Sequence, residues 1–449
     1  MSKLQNLYFS LPVSLQEIAV SLYGRRLYKQ RYSGIYTQLL EEIFIANDWS
    51  DSQKETYQSE KLHEIIKHCF NHVPYYQRIF AEYGFSASDF TSLNDISKLP
   101  ILDKKSIIKN PDDFINRNER PFIKQNTSGS TGTPLSIYLN EKTYKLAMAL
   151  LVHHEECHGV KFGEPRATFA GRMVLPATSK NPPFSRFNRA ENQRLFSSYH
   201  LSQATLRQYD RELADFSPYE IIGYPSAISL LANLYIESNI SPSFKPKLVV
   251  TNSETLHMNQ RAAIEKAFDC PVRDYYGSAE YVMFASQKDD MKYHFNHQIG
   301  ITEAIPNGDG TAELLATSLT NTVMPLLRYR IGDQIHLDES ATSASVVKSA
   351  DSIAGRTDDY VILPDGRKIG RLDHIFKGLT GIIEAQLIQE NERKCTIALV
   401  SEKLSEQNER ILRKNFEERV GPELILTFQY VDRIPKGKNG KFKSVVRKI

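Results

Sequence analysis

The 449-residue sequence carries four cysteines, Cys69, Cys157, Cys270 and Cys395, and no two of them form a CxxC pair. That spacing argues against a disulfide framework and against a zinc knuckle, and the expected setting is reducing and cytoplasmic. Glycine (22) and proline (20) are too sparse for a fibrous or low-complexity chain. No apolar run approaches the roughly 18 residues of a membrane span. Pro12, Gln16 and Glu17 interrupt any apolar core near the start, so no clean signal peptide is read there. Neither sign of charge dominates: 56 basic residues stand against 53 acidic, a net +3. There is therefore no global electrostatic reason to expect a nucleic-acid or membrane partner. What is present is ordinary for a globular enzyme, with 41% hydrophobic and 24% charged residues. That is enough apolar material for a large core, and the length favours at least two structural units.

Residues 1–45 read as helix with scattered aromatics. Leu62, Ile65, Ile66, Cys69 and Phe70 repeat at helical spacing, Pro74 interrupts, and a second helix runs to Gly84. From about 140 to 320, helical stretches alternate with short β-rich runs such as EIIGYP, KLVVTNS and VRDYYGS. The alternation predicts an α/β fold with parallel strands. AELLATSL and MPLLRYRIGDQIHL predict a more antiparallel unit. A boundary near 350–360 divides a large N-terminal domain, 1–355, from a small, mobile C-terminal α+β domain, 356–449.

Five segments hold residues suited to chemistry. The run Thr127-Ser128-Gly129-Ser130-Thr131-Gly132 lets backbone N–H groups converge and adds small hydroxyls, as a triphosphate cradle requires. It is not a Walker A loop, since GxxxxGK[ST] is absent, and a surface linker would also fit. Asp274-Tyr275-Tyr276-Gly277-Ser278-Ala279-Glu280 sets an aromatic ring and a carboxylate four residues apart, a ring to stack on a base and an acid to hold Mg²⁺. A β-turn with a core tyrosine is the plain reading. In Arg328-Tyr329-Arg330-Ile331-Gly332-Asp333 the last carboxylate lies just past a strand end, where an acid can accept ribose hydroxyls or pair with surface cations. Arg356 fits a ribose or phosphate contact and Asp358 a hinge, or both belong to a charged linker. Lys441 lies in a glycine-containing basic tail, able to reach into a cleft and stabilise developing charge, or simply solvated.

In this order the five segments resemble the core motifs of the adenylate-forming superfamily. Within it they resemble the phenylacetate–CoA ligase group and its capsule-biosynthesis CapK-like proteins, over nearly the whole chain. LHEIIKHCFNHVPYYQRIF, DISKLPILDKKSI, IIGYPSAISLLANL and VVTNSETL share in the likeness. The resemblance implies that Thr127 to Gly132 hold the ATP β- and γ-phosphates, and that Ser253 and Glu254 line the adenine and acyl junction. It further implies that Tyr276 stacks on adenine beside Gly277 and Ser278, Glu280 binds Mg²⁺, Asp333 binds ribose and Arg356 supports it. Asp358 becomes the pivot and Lys441 the catalytic lysine. The implied reaction joins a carboxylate to AMP, then passes the acyl group to a thiol of coenzyme A or a carrier protein, or to a nucleophile on a sugar.

The sequence departs from the pattern in places. Thr133 stands where many ligases have lysine, and YVILPDGRKIGR lacks the RGxxI[FS]P-type thiolation signature, which weakens the case for coenzyme A. His294 and His297 form an HxxH pair read as structural, and His153 and His154 fit a pocket wall or an exposed face equally. An adenylyltransferase that leaves AMP on its substrate and a non-catalytic scaffold remain as alternatives. Glu280, Asp333 and Lys441 together argue against the scaffold.

Overall fold

The computed structural model describes residues 3–126, 135–176, 179, 181–307, 310–336, 345–354, 360–364, 368–369, 372–376, 379, 382–401, 403–435 and 443–449. By its contacts the chain divides into two compact units. One comprises 1–24, 163–272 and 355–449; the other comprises 25–162 and 273–354.

In the first unit the strands Leu248–Asn252, Glu220–Gly223, Arg166–Phe169 and Gln193–Phe196 lie side by side and parallel, with Ser185–Asn188 added antiparallel. EIIG is buried at all four positions, the continuous burial of a strand covered on both faces. The helices Leu206–Phe216, Pro225–Glu237 and Met258–Phe268 contribute to its core. There Phe169 stacks on Phe196 with centroids 4.9 Å apart, and Phe184 on Tyr209 at 5.3 Å. Pro225 opens its helix at the one position where a missing N–H costs nothing. Gly223, two residues before it, has no room for a side chain, because a Cβ there would lie 2.1 Å from the Phe169 carbonyl oxygen.

The C-terminal segment of this unit has its own core, built from Leu387, Ile397, Leu399, Leu412, Phe416, Leu426 and Val445 among others. Ile382–Asn391 and Lys394–Ser401 pair antiparallel, and Val445–Arg447 and Ile425–Tyr430 extend the sheet in parallel on either side. The helix Glu406–Val420 packs here, its start capped by Ser405 Oγ accepting from Asn408 N–H at 3.2 Å.

The second unit combines helices with antiparallel sheet. Asp51–His72 begins with a capping box between Ser50 and Gln53 and buries Leu62, Ile65, Ile66 and Cys69. Pro74 then opens the next helix, which stops at left-handed Gly84. Gly300–Pro306, Thr311–Ser318 and Tyr329–His336 form the centre of an antiparallel five-stranded sheet, as the sequence predicts for this stretch. Val272–Gly277, Phe284–Gln287, Tyr293–Phe295 and Ser349–Ala350 pair antiparallel in turn. Ile123–Asn126 and Ser136–Leu139 make a hairpin whose last register pair is Asn126 and Ser136, so residues 127–135 connect its strands.

The helix Glu141–Cys157 presents His154 inward, 3% exposed, against the rings of His158 and Tyr275. Burial lowers its pKa from the ordinary histidine range to about 3. Below the unfolded value of about 6.5, the unfolded chain takes up a proton that the folded one refuses, so stability falls as pH drops. Denaturant titrations at pH 7 and pH 5 should show wild type losing about 2 kcal/mol more than His154→Gln over that interval. Equal losses in the two proteins would contradict this.

Candidate active site

Two of the chemistry-bearing segments meet in the second unit. The Val272–Gly277 strand ends at Tyr276-Gly277 and runs into the turn that carries Ser278 and Glu280. The Tyr329–His336 strand carries Asp333. The Tyr276 hydroxyl donates to Asp333 Oδ2. The Tyr329 hydroxyl donates to Glu280 Oε1 at 3.1 Å. The four residues thus form two crossed pairs of one phenol and one carboxylate. Glu280 is 7% exposed and Asp333 9%. A carboxylate so deep is costly to bury without hydrogen-bond donors, and the phenols supply them.

Local backbone geometry explains how the strand reaches its place. Leu315 pairs with Arg330 and Glu313 with Gln334, so Ile331, Gly332 and Asp333 stand opposite Leu314 alone. This bulge turns at Gly332, whose φ of +88° suits glycine, and it redirects Asp333. Just before the strand, Arg328 holds a left-handed φ of +48°. Its Nε reaches both oxygens of Glu303, at 3.0 and 3.1 Å, and its Nη1 donates to the Ser97 and Leu99 carbonyls at 2.9 and 2.7 Å. Arg330 pairs with Asp103 at 2.7 Å and Glu313 at 3.0 Å. Ser253 (φ +68°) and Tyr281 (φ +57°) are further left-handed residues beside the motifs. Strain of this kind gathers where function over-determines the backbone.

The hairpin flanking the glycine-rich run shares a core with this site. Leu135, Ile137 and Leu139 pack in the same cluster as Tyr329, with Tyr276 and Tyr281 against it. Residues 127–134 themselves, among them Thr127, Ser128, Gly129, Ser130, Thr131 and Gly132, lie outside the described residues, as do Arg356, Asp358 and Lys441. Ser253 and Glu254 belong to the first unit and bond within it. Ser253 Oγ donates to Asn252 at 2.8 Å, and Glu254 accepts the Ser226 N–H at 3.1 Å at the start of the Pro225–Glu237 helix. Glu254 thus acts as a helix cap, and with burial it helps raise the Tyr224 pKa.

Some neighbours of the candidate site escape a reading of the sequence. Tyr329 sits inside a quoted motif, yet nothing in the one-dimensional pattern names its partner. Strand alternation does set it on the face opposite Arg330. Both members of the HxxH pair make structural contacts. His294 bonds Asp290 at 2.8 Å, and the His297 ring packs by Trp49 and Tyr57. His153, which packs on Phe44, is held by burial at a pKa of about 4. Among the described residues no cluster of three or more His, Cys, Asp or Glu could hold a metal.

Glu280 fits one ligand position for a hard cation: it is a carboxylate fixed by one oxygen, and Mg²⁺ prefers oxygen donors and keeps several waters. The Ser278 hydroxyl beside it in sequence is buried with no hydrogen-bond partner among the described residues.

Residues 361–448 match the CapK C-terminal domain family. The whole chain is similar to Protein CapK of Staphylococcus aureus, 29% identical across 99% of this chain and 100% of that one. It is 24% identical to phenylacetate-coenzyme A ligase of Pseudomonas putida over 68% of this chain and 71% of the relative. In fold it resembles 2-hydroxyisobutyryl-CoA ligase, solved in the postadenylation state with an adenylate, at a TM-score of 0.67 and 17% identity, covering 89% and 90% of the two chains.

The Arg328–Glu303 pair is buried on both sides, with side chains 9% and 3% exposed. Removing one partner leaves a charge in the interior, at a cost of about 3–5 kcal/mol. Glu303→Gln should lower the melting temperature by many degrees, whereas the same change at exposed Glu406 should leave it within about 2 °C. A Glu303→Gln protein that melts with wild type would refute the clamp.

Proposed function

We propose that this chain, a CapK-like member of the adenylate-forming superfamily, activates a carboxylic acid with ATP and hands the acyl group to a nucleophile. The observation that carries the reading is the crossed pairing of Tyr276 with Asp333 and Tyr329 with Glu280. It joins two segments that the resemblance assigns to one nucleotide, beside the stem of the loop assigned to its phosphates.

On this reading the Tyr276 ring lies along adenine, Asp333 accepts the ribose hydroxyls, and the backbone of Thr127 to Gly132 cradles the β- and γ-phosphates. Ser253 and Glu254 bound the acyl junction, and Arg356 supports the ribose. Mg²⁺ held at Glu280 would spread phosphate charge. A substrate carboxylate oxygen attacks the α-phosphorus, the bond to the bridging oxygen breaks, and pyrophosphate leaves with the electron pair. Lys441 stabilises the charge developing on the α-phosphate. The C-terminal domain, 356–449, then swings about Asp358, and a nucleophile displaces AMP from the acyl carbon. The nucleophile is a thiol of coenzyme A or a carrier protein, or a group on a sugar. The capsule-related likeness favours an acid used in cell-surface polysaccharide assembly.

Pyrophosphate exchange into ATP should depend on an acid from a broad panel; silence across that panel would favour a non-catalytic binding role. Lys441→Ala should slow exchange by about 100-fold or more while ATP still binds. An unchanged rate would remove Lys441 from the mechanism. Tyr329→Phe should raise the Mg²⁺ concentration needed for half-maximal exchange several-fold, with saturating rates affected less. A drop in rate with no shift in Mg²⁺ dependence would assign Tyr329 to packing alone.

A further inference from the structure

The helix Val13–Tyr32 is mounted with its polar side inward. Gln16 Oε1 accepts from Arg186 Nε at 2.6 Å and Glu17 Oε1 from the Phe187 N–H at 3.0 Å. Ser21 Oγ donates to the Phe187 carbonyl at 3.3 Å and accepts from the Arg189 N–H at 3.1 Å. Gly24 lies so close to Asn188 that a Cβ would meet its Oδ1 at 2.1 Å. The outward face has the opposite character. Leu15, Ile18 and Leu22 are 46%, 55% and 65% exposed. They fall within roughly 60° of arc, and the exposed Arg25, Arg26 and Lys29 continue the same side of the helix within roughly 100°. Glu17, the one acid of this helix, points into the seated face.

A surface helix ordinarily buries its leucines and exposes its polar residues. Here about two turns of apolar side chain followed by three cations are exposed among the described residues, and an occupant must match both. A second copy does not. An antiparallel pair would set each apolar half on the partner's cations, and a parallel pair would set cations on cations. Anionic lipid matches both halves, with acyl chains for Leu15, Ile18 and Leu22 and headgroups for the basic turns. Among the described residues no helix is long and apolar enough to cross a membrane, so contact would be peripheral. We propose that this face seats the protein on an anionic bilayer surface. The bilayer contact itself is independent of the catalytic reading.

Flotation of the full chain with vesicles tests the proposal directly. The chain should float with phosphatidylcholine vesicles containing phosphatidylglycerol, much less with pure phosphatidylcholine, and progressively less as salt rises. Ile18→Asp/Leu22→Asp and Arg25→Glu/Arg26→Glu/Lys29→Glu should each cut the partition coefficient by roughly 100-fold. Both variants change exposed residues outside the nucleotide site, so activity in solution should persist. No flotation at low salt, or equal flotation with neutral vesicles, would overturn the proposal. So would a concentration-dependent dimer in sedimentation that either variant dissolves.

Discussion

Two phenol–carboxylate hydrogen bonds hold the candidate site of this protein together. Asp333 and Glu280 are buried acids, and burying such a group without hydrogen-bond donors is costly. Tyr276 and Tyr329 supply those donors, and in doing so each strand ties down the other's acid. The arrangement is reciprocal, so displacing either strand disturbs both carboxylates. The rest of the second unit acts as its mounting. Arg328 locks the entry to one strand through Glu303 and two carbonyls, and the bulge at Gly332 sets the height of Asp333.

The elements most legible in the sequence are those governed by local rules. The apolar spacing of Leu62, Ile65, Ile66 and Cys69 is a helix because one face must be buried, and Pro74 and Gly84 punctuate it for backbone reasons. EIIG and LVVTN are parallel strands because both their faces are covered. The candidate site was legible as a set of residue types in order, an aromatic, a carboxylate four residues on, and a second acid; that acid was expected just past a strand end, but Asp333 lies within the Tyr329–His336 strand, at its bulge. The site's internal wiring was not legible. The Tyr329–Glu280 bond joins residues 49 positions apart, and no periodicity encodes such a pairing. Glu254 as a helix cap and His154 as a buried neutral ring likewise depend on what the fold lays beside them. The inverted mounting of the Val13–Tyr32 helix is invisible for the same reason, since its sequence does not say which side meets the Ser185–Asn188 strand.

Similarity runs at two levels here. At 17% identity the fold follows that of a solved CoA ligase, because burial patterns tolerate wholesale change of side chain. The likeness to CapK extends end to end at 29%, and its C-terminal family covers the segment with its own core. Fold alone does not fix chemistry. What supports the proposed adenylate formation is the small set of acids and rings in the motifs, and above all the meeting of Tyr276, Glu280, Tyr329 and Asp333 in the second unit.

That meeting is best tested by a double-mutant cycle on ATP affinity with Tyr276→Phe and Asp333→Asn. If the Tyr276 hydroxyl and the Asp333 acid act as a unit on one nucleotide, the second change should cost far less once the first is made, with a coupling of about 1 kcal/mol or more. Strictly additive losses, or ATP binding indifferent to both changes, would contradict the account.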